Sequence, residues 1–383
     1  MSTHSPLPGW KDKALFTPGP LTTSRTVKQA MLRDAGSRDG EFIAIVADIR
    51  KRLLQLANTQ AGEFEAVLLP GSGTYSVEAV VSTALPRDGE LLVIVNGAYG
   101  QRIAKIAETL GIRTHTLTYA ENTLPALSDI ESTLQNEPGI ALVAAVHCET
   151  TSGIINPIQE IGRLARQAGK PYFVDAMSSF GAIPIDLNEC GIDYLVSSAN
   201  KCIEGVPGFG FTLARTECLT RCEGQARSLS LDLHAQWKGL EKNGQFRFTP
   251  PTQSLLAFHQ ALLELEAEGG VEGRGGRYQR NHQRLIEGMR KLGFQEYVPA
   301  QLQGPTITSF LYPDHPNFEF EDFYERLNQR GCVIYPGKVT QANCFRIGNI
   351  GRLDASDIDA LLLAIRETVS EMQIVLQPAA STH

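Results

Sequence analysis

From residue 25 to about 215 the chain alternates between two textures. Short runs of consecutive apolar and β-branched residues, at 66–69, 91–95, 114–119, 141–147, 172–174, 194–197 and 210–214, predict seven strands. Between them, at 76–84, 102–110, 127–135 and 158–167, small or apolar residues recur every third or fourth position, the spacing of one buried helix face. That alternation is the signature of βα units around a mostly parallel sheet. Two longer helical stretches flank the region, at 41–57 and 254–268, and the second puts Leu255, Phe258, Leu262 and Leu265 on one face.

After Glu268 the texture changes. The glycines of 269–276 interrupt the helical spacing and predict a domain boundary, followed by a basic, Gln-rich helix at 278–292. The remainder reads as a small α+β unit: a strand at 306–312, a helix at 321–329, short strands at 333–335 and 344–347, and a final helix at 356–372. There is no internal repeat, and 377–383 carries no periodicity and is expected to fray. The expected fold class is therefore α/β. A large domain at 25–268 holds a mostly parallel seven-stranded sheet sandwiched by helices, and a small α+β domain is built from 1–24 together with 269–383.

Composition narrows the function classes. At 383 residues the chain is too long for one small core, and ~150 residues per domain gives two or three units. Hydrophobic residues at 42% and charged ones at 20% exclude the signature of disorder. With 42 acidic and 35 basic side chains the net charge is −7, which argues against a nucleic-acid binder, since such proteins concentrate positive charge. The longest apolar run, 139–146, is too short to cross a bilayer. The first residues lack the apolar stretch of a secretion signal, so a cytoplasmic location is expected. Seven scattered cysteines, an odd number, fit reduced thiols, and Cys218 with Cys222 has no second pair to complete a metal site, so none is expected.

In open α/β sheets ligands gather at the C-terminal ends of the strands. Asp175 follows a run expected to be buried on both faces, where an ionised carboxylate needs a cationic partner. Lys201 ends the next run, 26 residues later and one βα step along the same sheet. Each alone is ordinary, Asp175 as a cap and Lys201 as a solvated surface residue. Together they make sense around pyridoxal phosphate: the amine forms a Schiff base with the aldehyde, and the carboxylate pairs with the pyridine nitrogen. The turn at Gly71, Ser72, Gly73 and Thr74 offers backbone N–H groups and hydroxyls at a helix start, suited to a phosphate. It lacks the Gly-Lys-Ser/Thr ending of a nucleotide loop and the spacing of a dinucleotide turn. Tyr99, after the next strand, offers an aromatic ring to stack on a cofactor.

Eight ordered segments carry a resemblance: TPGP at 17–20, GSGTYSVEA at 71–79, NGAYGQR at 96–102, HCETTSG at 147–153, VDAMSSFG at 174–181, SSANKCIEGVPG at 197–208, RFTPPT at 247–252 and CFRIGNIG at 344–351. The chain resembles the class V, fold-type-I pyridoxal-phosphate aminotransferases. VDAMSSFG, SSANKCI, ARSLSLD at 226–232, VIYPGK at 333–338 and FRIGNIG favour the subgroup that transaminates 2-aminoethylphosphonate with pyruvate over alanine:glyoxylate relatives.

The resemblance implies that Lys201 is the Schiff-base lysine and the general base and acid, that Asp175 partners the pyridine nitrogen, and that Tyr99 covers one ring face. It implies that Ser72, Gly73 and Thr74 hold the phosphate, with Asn200 beside the lysine, Thr150 near the phenolic oxygen and Met177 against the ring. Thr249 matches a position that completes the phosphate site of a neighbouring subunit, implying a homodimer with shared sites. Arg346 matches the substrate arginine, with Lys338 a weaker second cation. Arg38 stands where relatives carry an aromatic residue next to an acid, so a second substrate-binding cation is expected at the mouth of the site. Arg38 also keeps open a lyase that acts on a hydroxylated aminoethylphosphonate, beside an alanine/serine:glyoxylate-type aminotransferase. A non-catalytic module on the same fold would not need both Asp175 and Lys201. A cysteine desulfurase would need a mobile loop cysteine, whereas Cys332 and Cys344 fall in predicted strands.

Overall fold

A computed structural model describes residues 12–60, 62–337, 339 and 342–377. Its strands, in chain order, are β1 (Ala14–Leu15), β2 (Phe64–Gly71), β3 (Glu90–Val95), β4 (Thr114–Thr118), β5 (Ile140–Val146), β6 (Tyr172–Asp175), β7 (Tyr194–Ser198), β8 (Gly208–Arg215), β9 (Ile307–Leu311), β10 (Cys332–Val333), β11 (Tyr335–Pro336) and β12 (Cys344–Gly348). The seven strands β2 to β8 form one sheet in the order β2-β8-β7-β6-β5-β3-β4. All neighbours are parallel except those of β8, which runs antiparallel to both β2 and β7. The β7–β8 connection is too short for a crossover helix, so β8 must turn back beside β7. Lys201 lies in that connection.

The strands at the centre are buried on both faces, as continuous apolar runs require, whereas the edge strand β4 exposes alternate threonines and is polar. Helices Gly40–Leu56, Gly73–Ala84, Ala98–Thr109, Ile158–Gln167 and Thr252–Ala267 cover the sheet and share one large apolar cluster with it. A second cluster gathers Phe16, Phe294, Phe310, Phe323 and Phe345 around the three-stranded antiparallel sheet β11-β12-β9. Phe345 is its hub, edge-on to Phe294 with ring centroids 5.7 Å apart. β1 pairs in parallel with β10, which ties the N-terminal segment to this C-terminal part. Among the described residues no helix is long and apolar enough to cross a membrane.

One expectation needs correction. The glycines of 269–276 do not interrupt a helix for long: the break is confined to Gly269 and Gly270, both left-handed at φ 99° and 70°, and a helix runs from Gly270 to Lys291. Glycines inside it permit close approach. A Cβ on Gly273 would sit 1.9 Å from the Glu268 carbonyl oxygen, and one on Gly275 2.2 Å from that of Ala182. Each helical glycine costs about 1 kcal/mol relative to alanine, which contact with the rest of the fold offsets. Helices Arg25–Ala30, Thr216–Thr220 and Leu233–Asn243 had no counterpart among the expected elements; the first and last are capped by Ser24 and Asp232. Residues 378–383 and Lys338 lie outside the described residues.

Candidate active site

Eight of the expected site residues line one pocket at the C-terminal ends of the strands: Ser72, Gly73, Thr74, Tyr99, Asp175, Met177, Asn200 and Lys201. The sheet brings them there by register, since β6 ends at Asp175, opposite Val146 of β5 and Val196 of β7. Lys201 donates from Nζ to the Pro18 carbonyl at 2.5 Å. Gly19, also in the pocket wall, packs so tightly that a Cβ would lie 2.8 Å from the Asn200 carbonyl and 2.9 Å from Lys201 Cδ. Burial pushes the Lys201 ammonium down to about 8; the neighbouring Cys202 and Asp175 pull it back, and the Arg346 charge adds to the lowering. Burial pushes Asp175 up to about 6, against the Met177 N–H that donates to it at 3.0 Å.

The anion end of the pocket is the start of helix Gly73–Ala84. Ser72 is its N-cap residue, and its side chain makes no capping bond, so the pocket end presents an open helix N-terminus. Gly73 leaves room there: a Cβ would fall 2.4 Å from Met177 Cε. Arg102 was not anticipated from the sequence. It stands over the Tyr99 ring with Cζ 4.6 Å from the centroid and reaches Thr74 Oγ1 at 3.5 Å. Its signal was available, because Tyr99 and Arg102 are three apart in a helix that opens into the pocket.

Arg346, in the middle of β12, is fully buried. Its Nε donates to the Pro336 carbonyl at 3.0 Å and its Nη1 to the Thr150 carbonyl at 2.9 Å, with the Tyr335 ring 4.9 Å from Cζ. Among the described residues its Nη2 has no hydrogen-bond partner. A buried guanidinium nitrogen left unpaired is costly unless an anion meets it. Arg346 does not itself line the pocket, but its charge acts on two residues that do, Lys201 and Tyr99. The Thr150 hydroxyl is engaged with Ser178 Oγ at 2.6 Å.

Arg38 and Thr249 do not line this pocket. Both are exposed and share a separate surface recess with Ser37, Gln245, Phe246 and Arg247. Cys332 and Cys344 are buried in strands β10 and β12, and all seven cysteines are unpaired and buried, so none is presented on a loop as a nucleophile. A second residue missed by sequence reasoning is Glu149, buried three positions beyond β5. It sits just past the end of an apolar strand, as Asp175 sits at the end of one, which was the available signal.

Behind Lys201, the Glu204 carboxylate accepts from the Tyr278 hydroxyl at 2.6 Å and from Arg277 Nη2 at 2.7 Å. Arg277 Nη1 also donates to the carbonyls of Gly351 and Leu353, at 2.6 and 3.0 Å. The loop that carries Lys201 is thereby tied to the segment following β12, which carries Arg346.

A strand-end lysine and carboxylate on a mostly parallel sheet, facing an open helix N-terminus, define an α/β enzyme of the fold-type-I transferase class. The class-V aminotransferase family model matches residues 23–353, and the chain belongs to that family. It is 52% identical over 357 residues to a 2-aminoethylphosphonate–pyruvate transaminase of Vibrio vulnificus, covering 93% of this chain and 97% of that protein. It is 53% identical over 353 residues to a protein of the same name from Klebsiella pneumoniae, covering 92% and 96%. Among solved structures, an alanine–glyoxylate aminotransferase from Nostoc sp. superposes with a TM-score of 0.87 at 25% identity, over 96% of this chain and 98% of that one. The ureidoglycine–glyoxylate aminotransferase of Bacillus subtilis has a TM-score of 0.87 at 21% identity, over 98% and 96%, a likeness of fold alone.

Proposed function

We propose that the protein transfers the amino group of 2-aminoethylphosphonate to pyruvate, giving phosphonoacetaldehyde and L-alanine, with pyridoxal phosphate as cofactor. The observation that carries the reading is the meeting of Lys201, Asp175 and the open helix N-terminus in one pocket. The names of relatives more than half identical over nearly the whole chain support the substrate pair.

The residues fit the cofactor on chemical grounds. A phosphate suits the uncapped helix start at Ser72, Gly73 and Thr74, where the absence of a Gly73 side chain leaves a cradle. A protonated pyridine nitrogen suits Asp175, whose carboxylate is strained upward by burial and gains from a cation. Bound there, pyridoxal phosphate supplies an aldehyde and an electron-withdrawing ring. Lys201 does the proton work: with its ammonium lowered to about 8, a usable fraction is neutral near pH 7.5 and can take the proton from the aminated carbon at Nζ and return it. Tyr99 and Met177 present apolar surface in the pocket. Arg346 Nη2 is the free donor for a phosphonate or carboxylate, and the two carbonyls on Nε and Nη1 keep the guanidinium plane from turning.

The proposal includes a large unit at 25–268 that holds the cofactor and a small unit, 1–24 with 269–383, that brings Arg346. It also includes a cytoplasmic homodimer in which the exposed Thr249, with Arg38 beside it, completes the partner's site; their position in a surface recess away from Lys201 supports this. The test is an alanine assay with 2-aminoethylphosphonate beside alanine, serine and hydroxylated aminoethylphosphonate, with pyruvate as acceptor. One alanine should form per 2-aminoethylphosphonate consumed. Ammonia or phosphate released without alanine would establish the lyase instead, and preference for alanine or serine with glyoxylate would establish the other aminotransferase.

A further inference from the structure

Glu149 has no place in the chemistry above, yet it is fully buried. Its carboxylate accepts hydrogen bonds from a hydroxyl and three backbone N–H groups. Oε1 accepts from Thr151 Oγ1 at 2.6 Å, from Thr151 N at 3.2 Å and from Tyr99 N at 3.3 Å, and Oε2 accepts from Tyr99 N at 3.2 Å and from Gly100 N at 3.3 Å. No ion pair is formed by this carboxylate among the described residues. Burial raises the Glu149 carboxyl above its usual range, and the surrounding N–H and O–H donors, with the helix start, oppose that shift by favouring the ionised form without a cation.

The helix it meets is Ala98–Thr109, and that helix cannot cap itself. Its N-cap residue is Gly97, which has no side chain, and its first turn carries no acidic residue. The glycine is there for room: a Cβ on Gly97 would lie 2.2 Å from Glu149 Cγ and 2.4 Å from Thr151 Oγ1. The cap is thus supplied from the loop after β5, and the turn it closes is the one that delivers Tyr99 to the pocket and, one turn further on, Arg102. A cap from that source does something a local serine or aspartate could not. It ties Tyr99 to the end of β5, whose neighbour β6 ends in Asp175, and so sets the ring's position relative to the carboxylate at the pocket floor.

We propose that Glu149 is a positioning residue for the cofactor, a carboxylate that caps the Ala98–Thr109 helix from the neighbouring strand loop and so holds the Tyr99 ring and the Arg102 guanidinium in the pocket wall. This rests on the pyridoxal-phosphate reading of the site. It acts through Tyr99 and Arg102 and touches no reacting atom.

The test is Glu149→Gln, which keeps the shape but turns one acceptor oxygen into a donor facing backbone N–H groups. Two readouts are taken beside kcat and KM: the affinity of the apoprotein for pyridoxal phosphate by absorbance titration, and the circular dichroism of the bound cofactor in its visible band, which follows ring orientation. Affinity should fall about 10-fold, the size of a lost charged cap with its hydrogen bonds, and the dichroic band should weaken. KM for pyruvate should move less than about 3-fold, because Arg346 is untouched. Tyr99→Leu should lower affinity too, and adding Glu149→Gln to it should cost less than the product of the two single effects. Wild-type affinity and dichroism in Glu149→Gln would overturn the proposal, as would independent, multiplying losses in the double variant. If Glu149→Gln fails to fold, Thr151→Val removes the hydroxyl that donates to Oε1 at 2.6 Å and accepts from Ala98 N at 3.3 Å; it should shift both readouts in the same direction, and no shift would overturn the proposal. A wild-type protein that binds no pyridoxal phosphate would defeat the functional reading itself, an outcome distinct from a wild type that binds it while the variants match.

Discussion

Gly73→Ala sets two opposed effects against each other at the phosphate end of the pocket. Alanine is the better helix former by up to about 1 kcal/mol, less at a first-turn position. Its Cβ would lie 2.4 Å from Met177 Cε, 2.5 Å from Met177 Sδ and 3.3 Å from Ser198 Cβ. Carbon atoms pack at about 3.5–4.0 Å, so the thioether must retreat by roughly 1 Å or more. Methionine has the rotamer freedom to do so, and the fold should survive with its melting temperature shifted by only a few degrees. The same movement displaces a pocket-lining side chain beside the cradle. Overpacking of this kind costs about 1–3 kcal/mol, which at the cofactor site corresponds to a Kd raised about 5- to 150-fold. The assay is an absorbance titration of the apoprotein with pyridoxal phosphate beside thermal unfolding of the same sample. The double variant Gly73→Ala/Met177→Ala should recover much of the affinity, since the obstructing atoms are gone. Undiminished affinity in Gly73→Ala would refute the reasoning, and a loss that the second substitution leaves untouched would place the fault elsewhere.

Lys201→Ala should keep the fold and lose both the cofactor's lysine-linked visible absorbance and all turnover; retention of either removes Lys201 from its role. With the Lys201 ammonium near 8, roughly a quarter of the amine is neutral at pH 7.5, against about a thousandth for an ordinary lysine, so the rate of cofactor capture by the apoprotein should rise to about pH 8 and then flatten. A rise that continues past pH 10 would show an unperturbed amine. The linkage has a matching sign: the unfolded lysine binds its proton more tightly, so the destabilisation from burying it is full below about 8 and fades as pH rises toward 10.5. Arg346→Lys loses the planar fork on the two carbonyls as well as the free Nη2 donor, and kcat/KM for amine and pyruvate should both fall about 100-fold with little change in cofactor affinity; a fall for one substrate alone would restrict the residue to that half-reaction. For Thr249, mixing Lys201→Ala and Thr249→Ala proteins under subunit exchange should restore activity, because each mixed dimer contains one site with Lys201 and a partner's Thr249 intact. No recovery despite demonstrated exchange would rule out the shared site.

Much of the large sheet was legible because buried parallel strands must be largely apolar: β5 is so throughout, β3 after Glu90, and β7 up to Val196. The direction of β8 was not legible. An apolar run carries no arrow, and antiparallel pairing follows from the length of the connection through Lys201. The helix Gly270–Lys291 was misplaced for a related reason. Glycine lowers helix propensity wherever it stands, and only the carbonyls of Glu268 and Ala182, pressed against Gly273 and Gly275, reveal that those glycines serve contact rather than interruption.

The same division runs through the site. Asp175 and Lys201 stood out because a charged residue at the end of an apolar run demands an explanation, whereas Arg102 and Glu149 lay inside recognised motifs and went unread. By itself the sequence determined the alternation of strands and helices, the two charged groups at adjacent strand ends and the glycine turn for an anion. Tertiary structure alone decided how those groups behave. Lys201 meets the Pro18 carbonyl across 183 positions of chain and Arg346 meets the Thr150 carbonyl across 196; the burial that comes with such packing lowers the amine, and the contacts leave one guanidinium nitrogen free. Burial and hydrogen-bond completion are properties of neighbours brought from elsewhere in the chain, so no local pattern can encode them.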